Sequence, residues 1–390
     1  MARTTGKYER TSVGGEEVAA FVPRPLPPAS PPLSLDPSVV QLLRDAAHGL
    51  GRLDLAGEIV PSVEWFLYAF VRKEAVLSSQ IEGTQASLVD LLRVEAGAPP
   101  ESATEAEVEE VSNHVAALTY ARSQIDRKGG LPLSVRLLNE THKRLLRGVR
   151  GADKRPGEIR RSQNWIGGAR PGSAAFVPPP PRELPRLLGD LERYIHEKDP
   201  LPPLVRTGIV HAQFETIHPY LDGNGRIGRL LIALLLDHWG LLSKPLLYLS
   251  LFFKRRRADY YDRLGRVRTD GDWEGWTAFF LEGVATAADE AVRDARSLFA
   301  LVERDRTRLL GSAGVSVSTL RLFEELPRHP VVTLASVVKL LKTTKPTAAS
   351  AVSWLERAGI LAETTGRQRD RVFAYAAYLK RLRSGTDLAG

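Results

Sequence analysis

His218-Pro219-Tyr220-Leu221-Asp222-Gly223-Asn224-Gly225-Arg226-Ile227-Gly228-Arg229 places a proton acceptor, a carboxylate, an amide between two glycines and two guanidiniums in one short stretch. That mixture suits holding a polyphosphate while a nearby hydroxyl is deprotonated. Gly223 and Gly225 allow φ > 0 or a close approach of backbone to ligand. The run from Gly228 to Trp239 is apolar and of helical length, so the stretch predicts a loop opening a helix. Such a loop aims free N–H groups and the positive end of the helix dipole at an anion. Arg226 and Arg229 share one face of the first turn. The dipole disfavours arginine there, and a bound anion accounts for finding two.

Working outward, the pattern is mainly α-helical. Pro-rich residues up to about Asp36 read as an extended arm. Asp36-Pro37 fits an N-cap followed by Pro at the first helical position. Helical spacing runs from there to about Val94, breaks at Gly97-Ala98-Pro99-Pro100, and resumes as a long helix over Glu105 to Ile125. Another helix covers Ser134 to Leu146. Two extended pieces, around Ile159-Arg160-Arg161-Ser162-Gln163-Asn164-Trp165-Ile166-Gly167-Gly168 and Ala175-Phe176-Val177-Pro178, predict a β-hairpin flap. Helices then occupy about Arg182–His196, Leu204–Thr216, Arg226–Trp239 and on to about Arg304. After them come helices over Ser316–Leu326, Leu334–Leu341 and Thr344–Gly359, then strands near Leu361–Thr365 and Arg371–Tyr375. That order resembles a winged helix-turn-helix.

Composition bounds the function. The net charge is +8, and Gly311–Arg383 alone carries twelve Lys and Arg against five Asp and Glu. A localised basic excess points to a polyanion or acidic partner. The absence of cysteine excludes disulfides, thiolate catalysis and cysteine-ligated zinc. No apolar run reaches the ~18–20 residues of a membrane span, and the first residues lack a signal-peptide core. A cytoplasmic location is the expectation.

At residues 218–229 the chain closely resembles the Fic (filamentation induced by cAMP) family, whose signature reads H-x-F-x-D/E-G-N-G-R-x-x-R, with Tyr220 in place of Phe. The resemblance implies a Fic/Fido helical core with a β-hairpin flap, followed here by the C-terminal winged helix-turn-helix. It divides the chain into 1–100 (arm and helical region with an inhibitory helix), 101–305 (catalytic core) and 306–390 (winged helix). It implies a protein adenylyltransferase, in which His218 deprotonates a Ser, Thr or Tyr of a target protein. The freed oxygen attacks the α-phosphorus of ATP, and pyrophosphate leaves.

In the same reading Asp222 holds Mg²⁺. Gly223, Asn224 and Gly225 cradle the α- and β-phosphates, and Arg226 and Arg229 fork onto phosphate oxygens. Upstream, Leu77-Ser78-Ser79-Gln80-Ile81-Glu82-Gly83-Thr84 matches the family's inhibitory pattern S/T-x-x-x-E-G/N. Ser78 and Glu82 share a helix face, and Gly83 suits a left-handed cap. The resemblance implies that Glu82 occupies the Arg229 guanidinium and so blocks productive ATP binding. Alternatively, Glu82 orients a water for removing AMP. The flap resembles the Fic hairpin that pairs with an extended target segment. Tyr260 or Tyr261 resembles the segment beside the nucleotide base and would stack on adenine.

Lys342, Lys345, Arg367, Arg369 and Arg371 sit where a winged helix meets DNA phosphates, or where the same fold meets protein. Candidate partners are therefore ATP, a protein hydroxyl including the chain's own, DNA, and a second copy that strains the inhibitory helix. Two alternatives to AMP addition remain: AMP removal or another nucleotide donor, and a nucleotide-sensing DNA-binding regulator.

Overall fold

The computed structural model describes residues 3–59 and 63–387. The chain opens with an antiparallel hairpin, β1 (Gly6–Val13) and β2 (Glu16–Pro23), in register from Gly6↔Pro23 to Val13↔Glu16. Gly14 and Gly15 make its two-residue turn at φ +58° and +85°, the left-handed pair that a twisted hairpin requires. This corrects the reading of the first segment as an extended arm. The prolines begin only at Pro23, and the Gly-Gly pair ahead of them is a hairpin signal.

Helices follow: α1 (Pro37–Ile59), α2 (Val63–Ile81), α3 (Leu88–Glu95), α4 (Glu105–Asp126), α5 (Val135–Leu145), α6 (Leu184–His196), α7 (Pro203–Ile217), α8 (Asn224–His238), α9 (Ser250–Arg255), α10 (Arg257–Thr269) and α11 (Trp273–Leu310). The C-terminal run is α12 (Val317–Glu325), β3 (Val331–Thr333), α13 (Leu334–Leu341), α14 (Lys345–Arg357), β4 (Ala362–Glu363), β5 (Val372–Ala374) and α15 (Ala376–Leu382). Asp36 caps α1 as expected, its Oδ1 accepting from the N–H groups of Ser38 and Val39 at 2.8 and 2.9 Å. Among the described residues no helix is long and apolar enough to cross a membrane.

The chain divides into two compact units. One comprises Met1–Gly51, Asn113–Ser243 and Phe252–Ala288. Its centre is α7, where every residue from Leu204 to Ile217 except Glu215 is buried, as befits a helix apolar on nearly all sides. Arg206 donates to the carbonyls of Tyr194 and Glu197 at 2.5 and 2.9 Å, closing the C-terminus of α6. Trp276 Nε1 donates to the Gly208 carbonyl at 2.8 Å. A Cβ on Gly208 would stand 2.8 Å from the Phe280 ring, so only glycine lets α11 lie this close.

The other unit comprises Arg52–Ser112, Lys244–Leu251 and Asp289–Gly390. Lys73, 1 % exposed, pairs with Asp294 at 2.8 Å, and Tyr248 donates to the same carboxylate at 2.7 Å. Capping boxes at Ser87/Asp90 and Thr333/Ser336 start α3 and α13. Three helices, α12, α13 and α14, accompany an antiparallel sheet in the order β3-β5-β4. The strand β3 and the helix α15 extend beyond what periodicity predicts, since each is too short to carry a repeat.

Candidate active site

The site lies in the first unit, where α7 ends and α8 begins. His218 is the C-cap of α7, at φ +49° and ψ +63°, with its N–H on the Phe214 carbonyl at 2.9 Å. A side chain with φ > 0 is uncommon outside glycine, and here it turns the chain sharply from one buried helix toward the next. Asn224, 2 % exposed, closes that turn. Its Oδ1 accepts from Tyr220 N–H and its Nδ2 donates to Tyr220 C=O, both at 2.8 Å. The amide assigned to the phosphates from sequence is also engaged in shaping the loop.

Gly223 is the N-cap of α8 with φ +76°, as anticipated. Gly225 is different: α8 has already begun at Asn224, so Gly225 lies in the first helical turn. Its use there is a small side rather than an unusual dihedral. Arg226 and Arg229 lie along the same first turns and are 1 % and 3 % exposed. Their joint positive field, added to burial as the main cause, brings His114 on α4 down to a pKa of about 3.

Asp222 is half-buried. Its Oδ1 accepts from Gly223 N–H at 2.6 Å, and a Cβ on Gly151 would stand 2.7 Å from its Oδ2. Gly151, at φ +87°, is therefore the floor beneath this carboxylate. Among the described residues no group of three or more His, Cys, Asp or Glu is placed to hold a metal. A single carboxylate fits Mg²⁺, which keeps several waters and shares its remaining positions with substrate phosphates.

Three residues that sequence reading did not assign hold this loop from outside. His142 on α5 accepts Gly157 N–H at Nδ1, 2.8 Å, and meets the Asp222 carbonyl at Nε2, 2.9 Å. An accepting Nδ1 requires the proton to be on Nε2, so His142 is a neutral donor to that carbonyl. Burial supports this by lowering its pKa to about 4. Asn139 on the same helix accepts the Tyr220 hydroxyl at 2.8 Å. Arg160, 3 % exposed, donates Nε to the His218 carbonyl at 2.9 Å and Nη2 to the Pro179 carbonyl at 2.6 Å.

The expected flap is present in reduced form. Ile166 and Phe176 form one isolated antiparallel bridge, with a short 3-10 turn at Pro171–Ser173. Gln163 Nε2 ties its two limbs by donating to Pro178 O at 2.7 Å. The β2 strand lies along the returning limb, Phe21 N–H bonding Val177 O at 2.9 Å. Of the two tyrosines offered to adenine, Tyr260 is a core residue. It is 1 % exposed, stacks on Phe253 at 4.5 Å and hydrogen-bonds His211 at 2.9 Å. Tyr261 is 45 % exposed and is the one able to meet a ligand. Ser78 and Glu82 belong to the second unit. Ser78 is fully buried, α2 ends at Ile81, and Glu82 follows it, half-buried, before Gly83 at φ +93°.

Residues 40–123 match the model of the Fic/DOC family N-terminal region, and residues 132–236 match that of the Fic/DOC family itself. The chain belongs to the Fic family. The chain is 31 % identical to the protein adenylyltransferase Fic of Aedes aegypti over 169 residues, 43 % of this chain and 30 % of that one. A Drosophila persimilis protein of the same name is 30 % identical over 168 residues. The chain thus spans about 30 % of the length of these curated relatives. Its fold is that of a Fic family protein from Desulfovibrio desulfuricans G20, with a TM-score of 0.56 at 22 % identity, over 88 % of this chain and 98 % of that one. Fic-1 from C. elegans superposes with a TM-score of 0.50 at 22 % identity, over 67 % and 73 % of the two chains.

Proposed function

We propose that this Fic protein transfers AMP from ATP to a protein hydroxyl. The observation that carries the reading is His218, fixed at the end of α7 beside a helix N-terminus that holds two buried arginines. Neutral His218 takes the proton of a Ser, Thr or Tyr hydroxyl. That oxygen bonds to the α-phosphorus, the bond from α-phosphorus to its bridging oxygen breaks, and pyrophosphate departs. The N-terminal N–H groups of α8 receive the phosphates, and Arg226 and Arg229 balance their charge. Mg²⁺, held by Asp222, supplies charge neutralisation at the phosphates when bound. Tyr261 offers a ring to the adenine.

Glu82 is the restraint in this reading, supported by its place at the end of α2 in the inhibitory pattern. Its removal raises the rate. The adenylyltransferase names of the insect relatives support AMP addition over AMP removal. The chain's own hydroxyls are always at high effective concentration and are natural acceptors. The test is release of pyrophosphate by the Glu82→Gly protein with ATP, GTP, UTP or CTP in turn. Release with ATP together with a covalent AMP adduct by intact mass supports the reading, and release with another nucleotide alone changes the donor. Loss of AMP from a pre-modified protein, without addition, reverses the direction of the reaction.

A second reading concerns the end of the chain, which we propose as a winged helix that binds DNA. Lys342 and Lys345 precede or open α14, and Arg367 and Arg369 occupy the β4–β5 loop, all four exposed. Arg371 is engaged with Glu356 at 2.9 Å and contributes less. A gel shift on the DNA upstream of its own coding sequence, weakening with salt, supports this. A shift insensitive to salt or to loss of Lys342 and Lys345 opposes it.

A further inference from the structure

Arg160 is a buried cation. Its side chain meets only carbonyl oxygens in the contacts described: His218 at 2.9 Å, Ser162 at 3.2 Å and Pro179 at 2.6 Å. Its own N–H donates to the Pro219 carbonyl at 2.9 Å. Burial, the sole cause, lowers its pKa to about 10, which still leaves it charged at neutral pH. A buried charge without a carboxylate is costly, and a cavity of this kind is more simply filled by an apolar side chain. What a guanidinium offers instead is several N–H groups diverging in one plane, fixed relative to each other.

The three carbonyls belong to segments that the reaction must keep in register. His218 O lies just past the end of α7, and the direction of that carbonyl sets the residue's ψ of +63°. Pro179 O follows the returning limb of the flap, where Phe176 pairs with Ile166. Ser162 O precedes the outgoing limb. We propose that Arg160 is a positioning residue that locks the His218 backbone to both ends of the flap, so that a hydroxyl presented on the flap meets the base at a fixed distance. This rests on reading His218 as the base of AMP transfer. The sign of its action is specific. Arg160 touches no phosphate-binding group, so its loss affects the chemical step and leaves ATP binding in place.

The experiment compares Glu82→Gly protein with versions also carrying Arg160→Met or Arg160→Lys. Three readouts are taken: self-modification at saturating ATP, the Kd of a fluorescent ATP analogue, and amide hydrogen exchange. Misplacing a base by about 1 Å costs about 100-fold in rate, so Arg160→Met should lower the saturated rate by about that factor with Kd unchanged within about threefold. Lysine, which can reach some of the carbonyls but not hold them as a fork, should recover about tenfold of the loss. Exchange should quicken about tenfold in peptides covering 162–180 and 214–222 together, since both lose the same charged donor.

A saturated rate unchanged by Arg160→Met, or a loss matched by an equal weakening of ATP binding, would overturn the assignment. Arg160→Lys provides the same comparison should Arg160→Met not fold. Unchanged exchange in either segment also overturns it, and that result does not depend on activity. If the Glu82→Gly parent itself transfers no AMP, the base reading fails, while the exchange data still decide whether Arg160 ties the flap to residue 218.

Discussion

The imidazole of His142 lies flat against the phenol ring of Tyr220, with centroids 3.9 Å apart and planes 7° apart. The same imidazole holds Gly157 N–H on one edge and the Asp222 carbonyl on the other. A helix outside the signature stretch therefore sets the height of the loop that opens α8. The stack also explains how a tyrosine fits where the family signature has phenylalanine. The ring does the same packing, and the extra hydroxyl has its own acceptor in Asn139.

Tyr220→Phe should accordingly keep activity within about twofold and lose about 1 kcal/mol of stability, the net worth of one neutral hydrogen bond. Denaturant unfolding of Tyr220→Phe, Asn139→Ala and the double variant measures the coupling. A coupling near zero would mean that the hydroxyl contributes nothing through Asn139.

Gly151→Ala tests the floor beneath Asp222. The substitution meets both a left-handed φ of +87° and a carboxylate oxygen at 2.7 Å. It should cost about 1–3 kcal/mol, the usual penalty of backbone strain or overpacking, and should raise the Mg²⁺ concentration needed for half-maximal transfer. Loss of stability without change in the Mg²⁺ requirement would detach Asp222 from the metal.

Acid should destabilise the fold well above the carboxylate range. Burial, as the main cause, lowers His114 and His211 to about 3 and His142 to about 4. In the unfolded chain each returns to about 6.5. Between those values the unfolded state binds more protons, so stability is complete above about pH 6.5 and is lost as pH falls toward 4. Melting temperature followed from pH 7.5 to pH 5 should decline, and less steeply in His142→Asn if that variant folds. A flat profile would contradict neutral buried histidines.

The sequence carried the parts of this molecule that repeat or cluster. Helical spacing placed α4, α7 and α8 within a residue or two of their bounds, because each buries a continuous apolar stripe. Glu82-Gly83 ends α2 as the cap rule required. What escaped was set by tertiary partners. The roles of Arg160 and His142 depend on carbonyls 58 and 80 positions away, and no local pattern marks such a pairing. The part Asn224 plays in shaping the loop escaped for a related reason. An amide after Gly suits a phosphate cradle and a loop clamp equally, and its two bonds to Tyr220 depend on the folded loop. Tyr260 and Tyr261 are adjacent in sequence, and only burial separates the core ring from the surface one.

In the proposed function, His218 drives AMP transfer under restraint by Glu82. The most direct measurement incubates Glu82→Gly protein, Glu82→Gly/His218→Ala protein and the unaltered chain with Mg²⁺ and ATP radiolabelled at the α-phosphate. Covalent label is expected on Glu82→Gly, much less on the unaltered chain and none on the His218→Ala variant. Equal labelling with and without His218, or no gain from removing Glu82, would contradict it.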